Sequence, residues 1–123
     1  MSMNSTPVFA PPDSQCELRG DNRPVDLVFL AKQTGGDRAL EEEVLQLFAK
    51  QASVLGDELR SQKNCDARKL KAHTLKGAAR AVGAFALADC ASKIEIEPEK
   101  QAPVKALLRE VETVRDYIAS LMR

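Results

Sequence analysis

Residues 72–83 read AHTLKGAARAVG and contain the only histidine of the 123-residue chain, His73. Stepping about 100° per residue around a helix places Lys69, Lys76, Gly77 and Arg80 within about 60° of that histidine. Leu70, Thr74, Leu75, Ala67, Ala78, Ala81 and Val82 fall on an arc between about 60° and 200°, which is expected to face the core. The stretch thus reads as amphipathic helix with the histidine and its cations toward solvent. A glycine inside such a helix costs roughly 0.8–1 kcal/mol relative to alanine. Gly77 is therefore expected to have a steric purpose, clearing the approach to the imidazole one turn away.

Working outward, Asn64 is a good N-cap for this helix and Gly83 breaks it. Upstream, Asp37 caps a long helix ending near Gln62, whose Leu40, Val44, Leu47, Phe48, Val54, Leu55 and Leu59 follow the three-and-four spacing of an apolar face. Pro24 suits the first turn of a short helix carrying Val25, Leu27, Val28, Phe29 and Leu30, which stops at Gly35-Gly36. Downstream, Phe85, Leu87, Ala88, Ala91 and Ile94 mark a shorter helix that ends before Pro98. Pro103 then opens a last helix with the seam Val104, Leu107, Leu108, Val111, Val114, Ile118 and Leu121. Connections of a few residues predict an all-α domain over residues 23–123. Its expected form is an antiparallel up-and-down four-helix bundle with a short extra N-terminal helix. Residues 1–22 include Pro7, Pro11, Pro12 and Gly20 without sustained periodicity, and are expected to be a disordered or loosely attached tail.

Composition narrows the function classes. Hydrophobic residues make up 44% of the chain and charged residues 29%, ordinary proportions for one soluble domain. Lys plus Arg and Asp plus Glu number 18 each, so no global field draws the chain to nucleic acid or an anionic membrane. No apolar run is long enough to span a bilayer, and the N-terminus lacks the basic and apolar regions of a secretory signal. The cytoplasm is the expected compartment. Cys16, Cys65 and Cys90 form no paired spacing and read as reduced thiols, Cys90 as a core filler.

A phosphoryl group on His73 would find charge-assisted donors in Lys69, Lys76 and Arg80 at i−4, i+3 and i+7. By spacing alone, a solvated basic stripe with an incidental histidine stays open. A histidine without companion ligands is a poor metal site. The chain has no G-x-x-x-x-G-K-[ST] loop, so neither nucleotide binding nor self-phosphorylation is expected.

The segment AHTLKGAARAVGAFALADCASKIE, residues 72–95, resembles the signature of the histidine phosphotransfer (HPt) domain family of multistep phosphorelays, and VDLVFLAKQTGGD, residues 25–37, resembles its lead-in helix and turn. The resemblance extends over roughly residues 24–122. It implies that His73 accepts a phosphoryl group on Nε2 from a receiver-domain aspartate and passes it to another. Lys76 would steady that group, Gly77 would leave the ring accessible, and Glu95 would hold Nδ1. Lys69, Ala72, Ala79 and Arg80 are expected to contact the partner. The implied partners are receiver domains of response regulators and hybrid histidine kinases. No cofactor of the chain's own is expected, and Mg²⁺ would belong to the receiver. A stand-alone monomeric carrier without kinase activity follows. The alternatives are a phosphorylation-independent adaptor that sequesters a receiver, which would be marked by loss of the histidine or lysine, and the phosphate-accepting domain of a chemotaxis-type kinase.

Overall fold

The computed structural model describes residues 23–123; the tail expected over residues 1–22 lies outside the described residues. Five helices follow in order: α1 (Leu27–Thr34), α2 (Arg38–Ser61), α3 (Cys65–Val82), α4 (Phe85–Ile96) and α5 (Gln101–Leu121). Among the described residues there is no strand.

The helix starts are set by local chemistry. Asp37 accepts the Leu40 amide at 3.0 Å and Asn64 the Ala67 amide at 2.9 Å, so each side chain satisfies an amide that the first turn cannot. The short first helix begins later than expected. Pro24 and Val25 precede it because the Asp26 carboxylate takes the cap, accepting from the Phe29 amide at 3.0 Å.

Helices α2, α3, α4 and α5 form a closed ring in which each packs against its chain neighbour and α2 also packs against α5; α1 lies on α2 and α3. The ring encloses an aliphatic core that includes Leu59, Leu75, Leu87, Ile94, Leu107 and Val114. On α2 the core-facing residues are Leu45, Phe48, Ala52, Gly56 and Leu59. Leu40, Leu47 and Val54, expected among the core positions, point outward instead. The reason is the small residues: a Cβ at Gly56 would meet Leu108 Cδ2 at 3.3 Å, so α2 turns its narrow side to α5 and leaves the larger aliphatics out.

Arg68 is the one charged residue buried among the described residues. Its Nε and Nη2 donate to the Gln62 carbonyl at 3.1 and 2.7 Å, and its Nη1 donates to the Pro98 carbonyl at 2.9 Å. One guanidinium thereby ties the α2–α3 connection to the α4–α5 connection. Arg68→Met, which keeps the stem and loses the donors, is expected to cost about 2 kcal/mol in a urea titration, the scale for stranding partly buried carbonyls.

At the other end of the bundle, α1 closes on the α3–α4 turn. The Asp26 amide donates to the Gly83 carbonyl at 2.9 Å, and the rings of Phe29 and Phe85 meet edge to face with centroids 5.1 Å apart. That turn fixes how α4 leaves α3, and so which α4 residues come beside His73.

Candidate functional site

Helix α3 buries Arg68, Ala72, Leu75, Ala79 and Val82, a strict four-three-four-three repeat. The inward stripe is thus rotated from the expected arc: Leu70, Thr74 and Ala81 are exposed. Ala72 and Ala79, expected on the partner surface, have no solvent exposure at all. Alanines let neighbouring helices come close, so they mark the contact line between α3 and its neighbours rather than a docking face.

The rotation leaves the His73 face open. The His73 side chain is 65% exposed, while Glu95, 22 positions on and carried by α4, is only 17% exposed. Nδ1 of His73 lies 2.9 Å from Oε2 of Glu95. The other carboxylate oxygen, Oε1, is buried without a hydrogen bond of good geometry. Its compensation is the Lys76 ammonium 2.5 Å away, on a side chain 19% exposed. Burial alone would raise the Glu95 pKa, but hydrogen bonding and charge from Lys76 and His73 outweigh it and hold the carboxyl below its ordinary value. Glu95 is therefore an anion that accepts from Nδ1 of His73 and is ion-paired with Lys76. With the Nδ1 proton donated to Oε2, the neutral ring keeps its lone pair on Nε2.

A Cβ built on Gly77 would meet nothing within 4 Å. No helix approaches this glycine, so packing does not require its missing side chain. Lys69 and Arg80 are exposed and form no ion pair among the described residues. Leu70, one turn before Thr74 on the same side, adds an exposed aliphatic surface, and Ile96 does the same next to Glu95. Neither was singled out from the sequence, Leu70 because its hydrophobicity assigned it to the core. Among the described residues no group of three or more His, Cys, Asp or Glu could hold a metal ion. No described helix is long and apolar enough to cross a membrane.

Comparison with protein families matches the Hpt domain over residues 38–122, from the start of α2 to the end of α5. The chain belongs to the Hpt domain family. Hpt domains serve histidine phosphotransfer in phosphorelays, as carriers that interact with receiver domains. Comparison with curated proteins and with solved structures gives no match. The Hpt match spans the closed ring of four helices, so both elements that carry His73, Lys76 and Glu95 lie inside it, as does Gly83, while α1 and Asp26 precede it.

Proposed function

We propose that this Hpt domain is a phosphoryl carrier that loads at His73, on an up-and-down antiparallel bundle, and exchanges the group with receiver-domain aspartates in either direction. The observation that carries the reading is the exposed ring with Nδ1 held 2.9 Å from Oε2 of the Glu95 carboxylate. Nε2 attacks the phosphorus of an aspartyl phosphate; the N–P bond forms as the P–O bond to the aspartate breaks, and the aspartate leaves as carboxylate. The proton stays on Nδ1, where Glu95 stabilises the positive charge that develops on the ring. Lys76 shares its ammonium between Glu95 and the incoming phosphoryl oxygens. Lys69 and Arg80 steer the acidic receiver pocket, which supplies the Mg²⁺, and Leu70 and Ile96 provide apolar contact beside the ring.

The test is label transfer from phosphorylated receiver domains in the presence of Mg²⁺. Label that is acid-labile and base-stable supports a phosphohistidine carrier. Acid-stable label excludes a phosphohistidine, and no label from any receiver tried argues for the adaptor.

Two substitutions separate the roles of the neighbours. Glu95→Ala should slow transfer by about 10–100-fold, the scale for losing a group that orients a reactive imidazole. Glu95→Gln, whose amide oxygen still accepts from Nδ1–H, should lose no more than about tenfold. The same pair reads out the lowered Glu95 pKa. A depressed carboxyl pKa contributes stability above the unfolded value, and that contribution disappears as pH falls through the folded value. The stability advantage of wild type over Glu95→Gln should therefore be full at neutral pH and vanish in acid.

Gly77→Ala is expected to raise stability by about 0.5–1 kcal/mol, because the open position removes any packing objection to the better helix former. Gly77→Glu should fold as well, yet transfer at least about tenfold more slowly by crowding the approach to the ring.

A further inference from the structure

Helix α2 carries a second apolar seam on the side away from the core. Leu40, Leu47 and Val54 recur at seven-residue spacing and are 41%, 62% and 50% exposed. At about 100° per residue they form a line roughly 140° from the centre of the buried face. Val44 and Gln51 border this line on one flank, and Glu43 and Lys50 on the other. Scattered exposed aliphatics need no explanation, but three in line along one helix form a straight apolar ridge against which a second helix can lie.

The charges choose the occupant. Glu43 and Lys50 form no ion pair among the described residues and, seven positions apart, lie about 10 Å from each other along the axis. We infer that this seam is a self-association surface on which α2 of a second copy packs antiparallel, with the twofold axis beside Leu47. In that register Leu47 meets its own counterpart, Leu40 of each copy faces Val54 of the other, and the two Glu43–Lys50 flanks coincide. Each Glu43 then lies within one residue of the Lys50 of the other copy, twice per dimer. A parallel pair would instead set that flank against Val44 and Gln51, which offer no opposite charge. The monomer expected from the sequence rested on the helices burying their apolar seams within one bundle, and on α2 Leu40, Leu47 and Val54 lie outside it.

A helix of 24 residues is about 36 Å long, so one helix pair falls at the low end of interface size and the dimer is reversible. His73 and Glu95 sit on α3 and α4, and the seam on α2.

Sedimentation of the full chain from about 10 to 500 µM tests the proposal at the affinities such an interface supports. The wild-type mass should climb from 13.5 kDa toward twice that value. Leu47→Glu, at an exposed site, should stay at the monomer mass and still accept label at His73 at the wild-type rate. Lys50→Glu should weaken association, and the exchange Glu43→Lys with Lys50→Glu should restore it. A wild-type chain that remains monomeric throughout, or a dimer indifferent to Leu47→Glu, overturns the proposal. A double exchange that fails to rescue overturns the antiparallel register. Loss of receiver transfer in Leu47→Glu with no wild-type dimer assigns the seam to the receiver and overturns self-association.

Discussion

Replacing His73 with glutamine is expected to reduce label accepted from a phosphorylated receiver to background, with no measurable loss of fold. Glutamine is of similar length and can keep an amide near Glu95, but its nitrogen has no available lone pair with which to attack phosphorus. The chain contains no other histidine to take over the role. The side chain is mostly solvent-exposed, so the stability change should stay within about 0.5 kcal/mol. A urea titration and a transfer time course on the same preparation check both halves. Label that persists in the variant would place the acceptor elsewhere and remove the basis of the proposed chemistry.

Gly83→Ala is expected to be the most damaging single methyl group in the domain. Gly83 has φ of 88°, a left-handed conformation that L residues adopt at a cost, and a Cβ there would lie 2.9 Å from the Asp26 carbonyl oxygen and 3.2 Å from Phe29 Cδ2. The backbone oxygen cannot step aside without giving up the hydrogen bond between the Asp26 amide and the Gly83 carbonyl. Strain and overpacking together should cost about 2–5 kcal/mol. The consequence reaches function, because this turn sets the approach of α4 to α3 and hence of Glu95 to His73. Thermal unfolding should show a lowered midpoint, and transfer by the folded fraction should also slow. An unchanged midpoint would mean that α1 is not anchored on the turn.

What the sequence discloses depends on how local the cause is. Asp37 and Asn64 are legible as caps because each acts on an amide three residues away, and Gly83 is legible as a break because its backbone geometry is its own property. The rotation of helices is less legible. Counting large aliphatics turned Leu70 inward on α3 and Leu40, Leu47 and Val54 inward on α2, whereas the folded chain buries Ala72, Ala79, Ala52 and Gly56. Small residues carry little hydrophobic weight yet decide where helices can approach most closely. Arg68 escapes a local reading for a different cause: its burial is stabilised by the Pro98 carbonyl, 30 residues distant. Glu95 is similar, since nothing local ties it to His73, and only the resemblance pointed to a partner 22 residues away.

The site that emerges is a single exposed histidine whose Nδ1 faces a largely shielded carboxylate, itself paired with a lysine. Because the chain has one histidine, ¹⁵N NMR of histidine-labelled protein reads the ring without ambiguity. In the neutral ring before loading, Nδ1 should carry the proton and Nε2 the lone pair. After reaction with a phosphorylated receiver, coupling to phosphorus should appear on Nε2 alone. A ring protonated on Nε2, or phosphorus attached at Nδ1 or absent from the imidazole, would contradict the account.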